Sequence, residues 1–206
     1  MGNTSSTTSA LTLHVTQETA AQGIPHNLSA SLTKRASLTL RCILTDPASK
    51  RAFAVHVPPT GSNAVIIYDG PDAASPVLAT AAKNAKWKHD FRVNLAALIE
   101  GQDTREELLR CTTVSKRKES YWFAMQLGNS VGRFEWRSTR AQGQGWGWKL
   151  VKDDEDIVAI FKSHRSLGRD KIGDLTFTGS GMSGRFGRQW EVMVLTTWAC
   201  VWFKHI

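Results

Sequence analysis

Trp190–Ile206 reads WEVMVLTTWACVWFKHI, and from Val192 to Phe203 it carries no charge. As a helix this segment is apolar on every side, so it must be enclosed by protein or by lipid. Its seventeen residues make a rod of roughly 25 Å. As a single strand they would reach about 56 Å, far beyond ordinary strand length. A membrane-spanning helix needs roughly 20 apolar residues, and a shorter run reads as a buried core helix. The segment therefore predicts a helix over about 190–205, and the preceding chain must wrap it.

The rest of the chain supplies strands. Leu11, Leu13 and Val15 alternate with polar residues, Gln17–Ser31 is linker-like, and Leu38, Leu40 and Cys42 alternate again. Further strands are predicted at Ala52–Val57, Ala64–Tyr68, Pro76–Ala82 and Trp87–Leu95, the last with Phe91, Val93 and Leu95 on one face. Asp103 or Thr104 followed by Glu106 and Glu107 predicts a short helix at Thr104–Leu109. Val114–Leu127 reads as one long strand, and Gly128-Asn129-Ser130 as the turn of a hairpin into Val131–Arg137. Trp146–Lys152, Ile157–Lys162 and Lys171–Thr178 complete the series. Ten or more strands without strand–helix alternation argue for a mainly β, antiparallel architecture.

Seven of the eight tryptophans lie after residue 120, which places much of the core in the second half. Residues 1–10, MGNTSSTTSA, are small and polar and read as a disordered tail. The single domain is expected over 11–206. Cys42, Cys111 and Cys200 are far apart and odd in number, the pattern of separate thiols in a reducing compartment instead of a disulfide framework or zinc site. No secretory signal is visible at the start.

Several sequences invite a chemical reading. Gly179–Gly184 spells G-x-G-x-x-G, but a dinucleotide site also needs a second strand and a later acidic residue, so a connecting hinge is the better reading. Asp153–Asp156 lacks the central Gly and terminal Glu of a calcium loop and reads as a hairpin tip. Six scattered histidines show no metal spacing, and no nucleophile–base–acid motif stands out. Neither enzymatic activity nor a cofactor is predicted.

A net charge of +8 favours anionic partners. Lys116-Arg117-Lys118 is the densest basic run, and Lys86 and Lys88 flank Trp87. On a single strand, Lys116 and Lys118 would share the face opposite Tyr121 and Phe123. Two such pairs make a head-group site for phosphate-bearing lipid. Met1-Gly2-Asn3-Thr4-Ser5-Ser6 matches the N-myristoylation pattern at Gly2. One acyl chain holds a membrane only marginally and needs a basic patch beside it.

Ala64–Thr80 (AVIIYDGPDAASPVLAT), Val131–Arg140 (VGRFEWRSTR), Gly147–Val151 (GWKLV) and Trp190–Phe203 (WEVMVLTTWACVWF) occur in that order. Their succession resembles the Tubby C-terminal-like superfamily, which includes LURP-one-related proteins and phospholipid scramblases, and is most similar to divergent fungal tubby-like proteins. The resemblance implies a closed antiparallel barrel of about twelve strands threaded by the C-terminal helix. It also implies phosphoinositide binding, with Lys116, Arg117 and Lys118 matched to the family's basic cluster. The C-terminal signature of animal tubby proteins and the calcium segment and added span of scramblases are missing, so lipid translocation is not implied.

The expected function is a non-enzymatic adaptor, cytoplasmic and peripheral at the cytosolic face of a membrane, with anionic phospholipid as its partner. The alternatives are a tail-anchored protein with Trp190–Ile206 in the bilayer, or a nucleic-acid-binding or transcription-linked module.

Overall fold

The computed structural model describes residues 11–36, 39–58, 63–84, 89–98, 104–115, 118–140, 146–164 and 171–205. A short helix, α1 (Gln17–Gln22), precedes twelve strands. The first six are β1 (Asn27–Ala36), β2 (Thr39–Thr45), β3 (Ala52–Val57), β4 (Asn63–Tyr68), β5 (Val77–Lys83) and β6 (Phe91–Leu95). The second six are β7 (Arg105–Ser115), β8 (Lys118–Leu127), β9 (Ser130–Arg140), β10 (Trp146–Lys152), β11 (Asp156–Ser163) and β12 (Lys171–Phe177). A 3-10 turn, Gly179–Met182, leads to α2 (Arg188–Lys204).

Each strand pairs antiparallel with its sequence neighbours, and β1 pairs with β12 (Leu28 opposite Leu175) to close the barrel. Closure leaves no strand edge to pair with another chain. The walls alternate as their sequences do: Phe91, Val93 and Leu95 are buried while Arg92 is exposed. The core-facing residues meet α2, whose every residue from Trp190 to Trp202 is buried. Trp198 lies 5.1 Å from Phe161 and 5.8 Å from Trp202 between ring centroids. Trp136 Nε1 donates to Thr197 Oγ1 at 3.0 Å, tying the wall to the helix. Thr196 and Thr197 donate to the carbonyls of Val192 and Met193, so their hydroxyls are satisfied inside the helix.

The segment that could have been a membrane anchor is therefore the core of the barrel, and no described helix is long and apolar enough to cross a membrane. Apolar side chains fill the inside and charged ones the outside, the reverse of a barrel whose outer face meets lipid.

Several expectations need correction. Thr104–Leu109 is not helical: β7 runs through it, with Leu109 opposite Phe91 and Glu106 opposite Asn94. Ladder pairing with β6 outweighs the local capping signals, and Glu106 and Glu107 pair with Arg92 and Arg105 instead of seating a helix N-terminus. Val114–Leu127 is not one strand, because β7 ends at Ser115 and Ser115 pairs with Lys118, the first residue of β8. No Gly, Pro or Asn marks that reversal. The linker-like Gln17–Ser31 holds α1 and the start of β1, and the strand expected at Leu11–Val15 is reduced to one bridge, Leu13 to Val77.

Other expectations hold. β3 and β10 have the expected limits, and Gly128 opens a two-residue turn at φ 58°, a conformation glycine adopts without strain. All three cysteines are free, with Cys42 and Cys200 buried and their thiols pushed up by burial.

Candidate functional site

In an antiparallel barrel the connections alternate between two rims. α2 begins at one rim, beside Gly23 and Ile24, and ends at the other, beside His89 and Glu119.

Where α2 begins, the chain is closed over. Glu191 is buried in the helix's first turn and accepts from Ile24 N at 2.8 Å. Burial raises its carboxyl pKa, opposed by that hydrogen bond and by Arg188 and Arg51. Gly23 sits against it at φ 74°, where a Cβ would come within 2.2 Å of Glu191 Oε2. Thr16 caps α1 by accepting from Thr19 N. Buried Asp69 then accepts from Thr16 N, Thr16 Oγ1 and Thr19 Oγ1 at 2.7–2.8 Å. Arg51 completes the latch by donating to Thr19 Oγ1 and Gly23 O and pairing with Glu18. This rim is of mixed charge, with Asp46, Asp69, Asp72 and the Asp153–Asp156 run beside Lys50, Arg51, Lys152, Arg185 and Arg188.

Where α2 ends, the contacts are charged and nearer to water. Lys204 Nζ lies 3.2 Å from Glu119 Oε2 and 2.7 Å from His89 Nδ1. Tyr121 OH donates to Glu119 Oε2 at 2.5 Å, and the His205 ring packs against Tyr121 and Trp148. Burial works to raise the Glu119 pKa, but hydrogen bonds from Tyr121 and Lys204 outweigh it and hold the group low. Burial also pushes the Tyr121 phenol up and the His205 imidazole down. Lys204 near the last carbonyls complements the helix dipole.

Strand ends at this rim carry Lys83, Lys118, Lys162 and Lys171. The described carboxylates there are already engaged: Asp90 by Cys111 N, Glu119 by Lys204, and Asp174 by His164 and Lys171. Basic strand ends thus gather at the rim where α2 ends.

Of the expected site residues, Gly2, Lys86, Lys88, Lys116 and Arg117 lie outside the described residues, and Lys118 is described only through its backbone pairing with Ser115. The described neighbours of the two basic runs do meet. Asp90 Oδ1 accepts from Cys111 N at 2.8 Å, linking the β5–β6 connection to β7, and Lys204 bridges His89 and Glu119.

The other motifs have structural roles. Gly181 of the G-x-G-x-x-G run packs where a Cβ would lie 2.2 Å from Val158 O, beneath Trp190. Asp153 and Asp154 form a left-handed hairpin tip tied to Lys152 and Arg137, and Asp156 accepts from Ser180. No group of three or more metal-binding side chains occurs among the described residues.

One feature of the outer wall escapes sequence reasoning. Trp122 lies between Arg110 of β7 and Arg133 of β9, brought together only by strand register.

No family model, curated protein or solved structure matches the chain.

Proposed function

We propose that the protein is a non-enzymatic adaptor of tubby-like architecture. It binds anionic phospholipid or phosphoinositide with Lys116, Arg117 and Lys118, aided by Lys86 and Lys88, at the cytosolic face of a membrane. The observation that carries this reading is the convergence of the two basic runs' described neighbours on one rim, through Asp90–Cys111 and His89–Lys204–Glu119. The twelve-strand barrel around a C-terminal helix agrees with the architecture that the resemblance implies. The described carboxylates at this rim are already engaged, which suits an anionic surface.

N-myristoylation at Gly2 belongs to the same proposal and sets a geometric condition. Leu13 is fixed to Val77 near the rim where α2 begins, so the acyl chain and the basic rim start from opposite ends of the barrel. The chain between Gly2 and Leu11 spans at most about 30 Å when extended. That reach is the limit within which the acyl chain and the basic rim can meet one membrane.

Co-sedimentation with phosphatidylcholine vesicles, with and without phosphatidylserine or phosphoinositide, tests the reading. Each basic residue near an anionic surface contributes about 1 kcal/mol, so Lys116→Ala/Arg117→Ala/Lys118→Ala should weaken binding on the order of 100-fold. Equal sedimentation of variant and wild type removes the site. Steeply salt-dependent binding to oligonucleotides but not to vesicles shifts the reading to a nucleic-acid module. Mass spectrometry of the N-terminal peptide decides whether Gly2 is acylated.

A further inference from the structure

We propose that the outer wall of β7, β8 and β9 docks an acidic, amphipathic peptide segment of a partner protein, centred on Trp122 between Arg110 and Arg133. This would be the protein-binding side of the adaptor, and it rests on no part of the lipid assignment.

The site follows from register. Arg110 lies opposite Trp122, and Arg133 lies opposite Ala124, two positions along the same outward face of β8. The guanidinium carbons lie 5.3 Å (Arg110) and 4.6 Å (Arg133) from the Trp122 ring centroid. Trp122 Nε1 donates to Thr112 Oγ1 at 3.1 Å, which holds the indole in place. Cation–π contact with both arginines lowers the freedom that a partner must remove on binding.

Two observations separate this patch from ordinary solvated surface. The neighbouring arginines are neutralised: Arg92 by Glu106, and Arg137 by Glu135 and Asp154. The guanidinium groups of Arg110 and Arg133 have no carboxylate partner among the described residues, and Asp153 Oδ1 accepts only from the Arg133 backbone N–H, at 3.2 Å. Two positions from Arg133, Val131 is 66 % exposed, more than the other exposed large hydrophobics among the described residues. Trp and Arg beside exposed apolar surface are the residue types that dominate interface energetics.

Spacing selects the ligand. β7 and β9 are separated by one strand, about 9.6 Å between axes, so the two arginines reach out from either side of the indole. A single phosphate needs donors converging on its oxygens at hydrogen-bond distance. An extended peptide instead turns residues i, i+2 and i+4 to one face, about 7 and 14 Å along the chain, so two carboxylates on long side chains can flank an apolar side chain that meets the wall. The closed barrel offers no edge for backbone pairing, so recognition must run through side chains.

The test is fluorescence anisotropy at physiological ionic strength with a short labelled peptide of Glu, Asp and Leu. An all-Glu peptide, tripolyphosphate and a single-stranded oligonucleotide serve as competitors. Wild type should bind saturably, and the Trp122 indole N–H resonance should shift. Arg110→Gln/Arg133→Gln should weaken binding at least about tenfold, Trp122→Leu severalfold. Lys50→Gln/Lys162→Gln, which removes the same charge elsewhere, should change it less than about twofold. The idea is overturned if wild type shows no saturable binding or no shift at Trp122, or if both double variants lose affinity equally. It is overturned also if all-Glu competes as well as the Leu-containing peptide, or if polyphosphate or oligonucleotide competes better. Arg110 and Arg133 are exposed, and unchanged thermal unfolding of the variants separates lost binding from lost fold.

Discussion

The two ends of α2 are held by opposite means. At its start, the contacts join residues far apart in sequence and largely out of water: Ile24 to Glu191, Thr16 and Thr19 to Asp69. At its end, Lys204 meets a Glu119 whose side chain is 27 % exposed, and basic strand ends surround the pair. Hydrogen bonds to a buried group are costly to leave unmade, whereas ion pairs open to water contribute little. One rim is thus built to close the barrel, and the other is free to present charge without much consequence for folding.

The largest effect tests the helix that both ends share. Trp198 is buried against Phe161 and Trp202, and Trp198→Ala should cost about 3–5 kcal/mol, read as a lowered urea midpoint and loss of near-ultraviolet dichroism. A cost near zero would mean that the wall does not depend on its filling. The next pair of variants tests the difference between the ends. Asp69→Ala strands three donors at the closed rim and should cost about 2–3 kcal/mol, with faster proteolysis in residues 11–22. Lys204→Ala at the other rim removes the ion pair but leaves Glu119 to accept from Tyr121, and should cost about 1 kcal/mol or less. Equal costs would erase the distinction between a closing and a presenting end.

The same division shows in what the sequence made legible. β6 was readable because it alternates between core and solvent, β3 because its run stops at Pro58-Pro59, β10 because its run stops at the Asp153–Asp156 tip, and α2 because it is apolar all round. α1 and β7 were not. α1 is six residues long and is held by Asp69 and Arg51, partners no local pattern reveals, and the acidic start of β7 resembles a helix first turn. The basic runs were readable as composition, but their relation depends on which strand ends share a rim, and the unmarked reversal after Ser115 hid that. The Arg110–Trp122–Arg133 group spans three strands. Its one local trace is a tryptophan on the face of β8 opposite Tyr121, Phe123 and Met125, where a polar residue is the usual occupant.

The smallest effect gives the sharpest contrast, because the carboxylates at the two ends respond to pH with opposite sign. Glu119 is held below its ordinary 4.5, so its contribution is present above that value and is lost as pH falls through the lowered one. His205, pushed down by burial, acts in the same direction, since stability falls as pH drops from 6.5 through its folded value. Glu191 is raised above 4.5, so its contribution is full below 4.5 and is lost as pH rises through the raised value. Near neutral pH its buried charge opposes folding, while its oxygen is still needed by Ile24 N. Glu191→Gln keeps an acceptor and removes the charge, so it should match or exceed wild-type stability near neutral pH. The advantage should fade as pH falls below 4.5, followed by urea midpoints across a pH series. Should Glu191→Gln prove less stable at neutral pH, Arg188 and Arg51 outweigh the burial, and the closing end is held by charge just as the presenting end is.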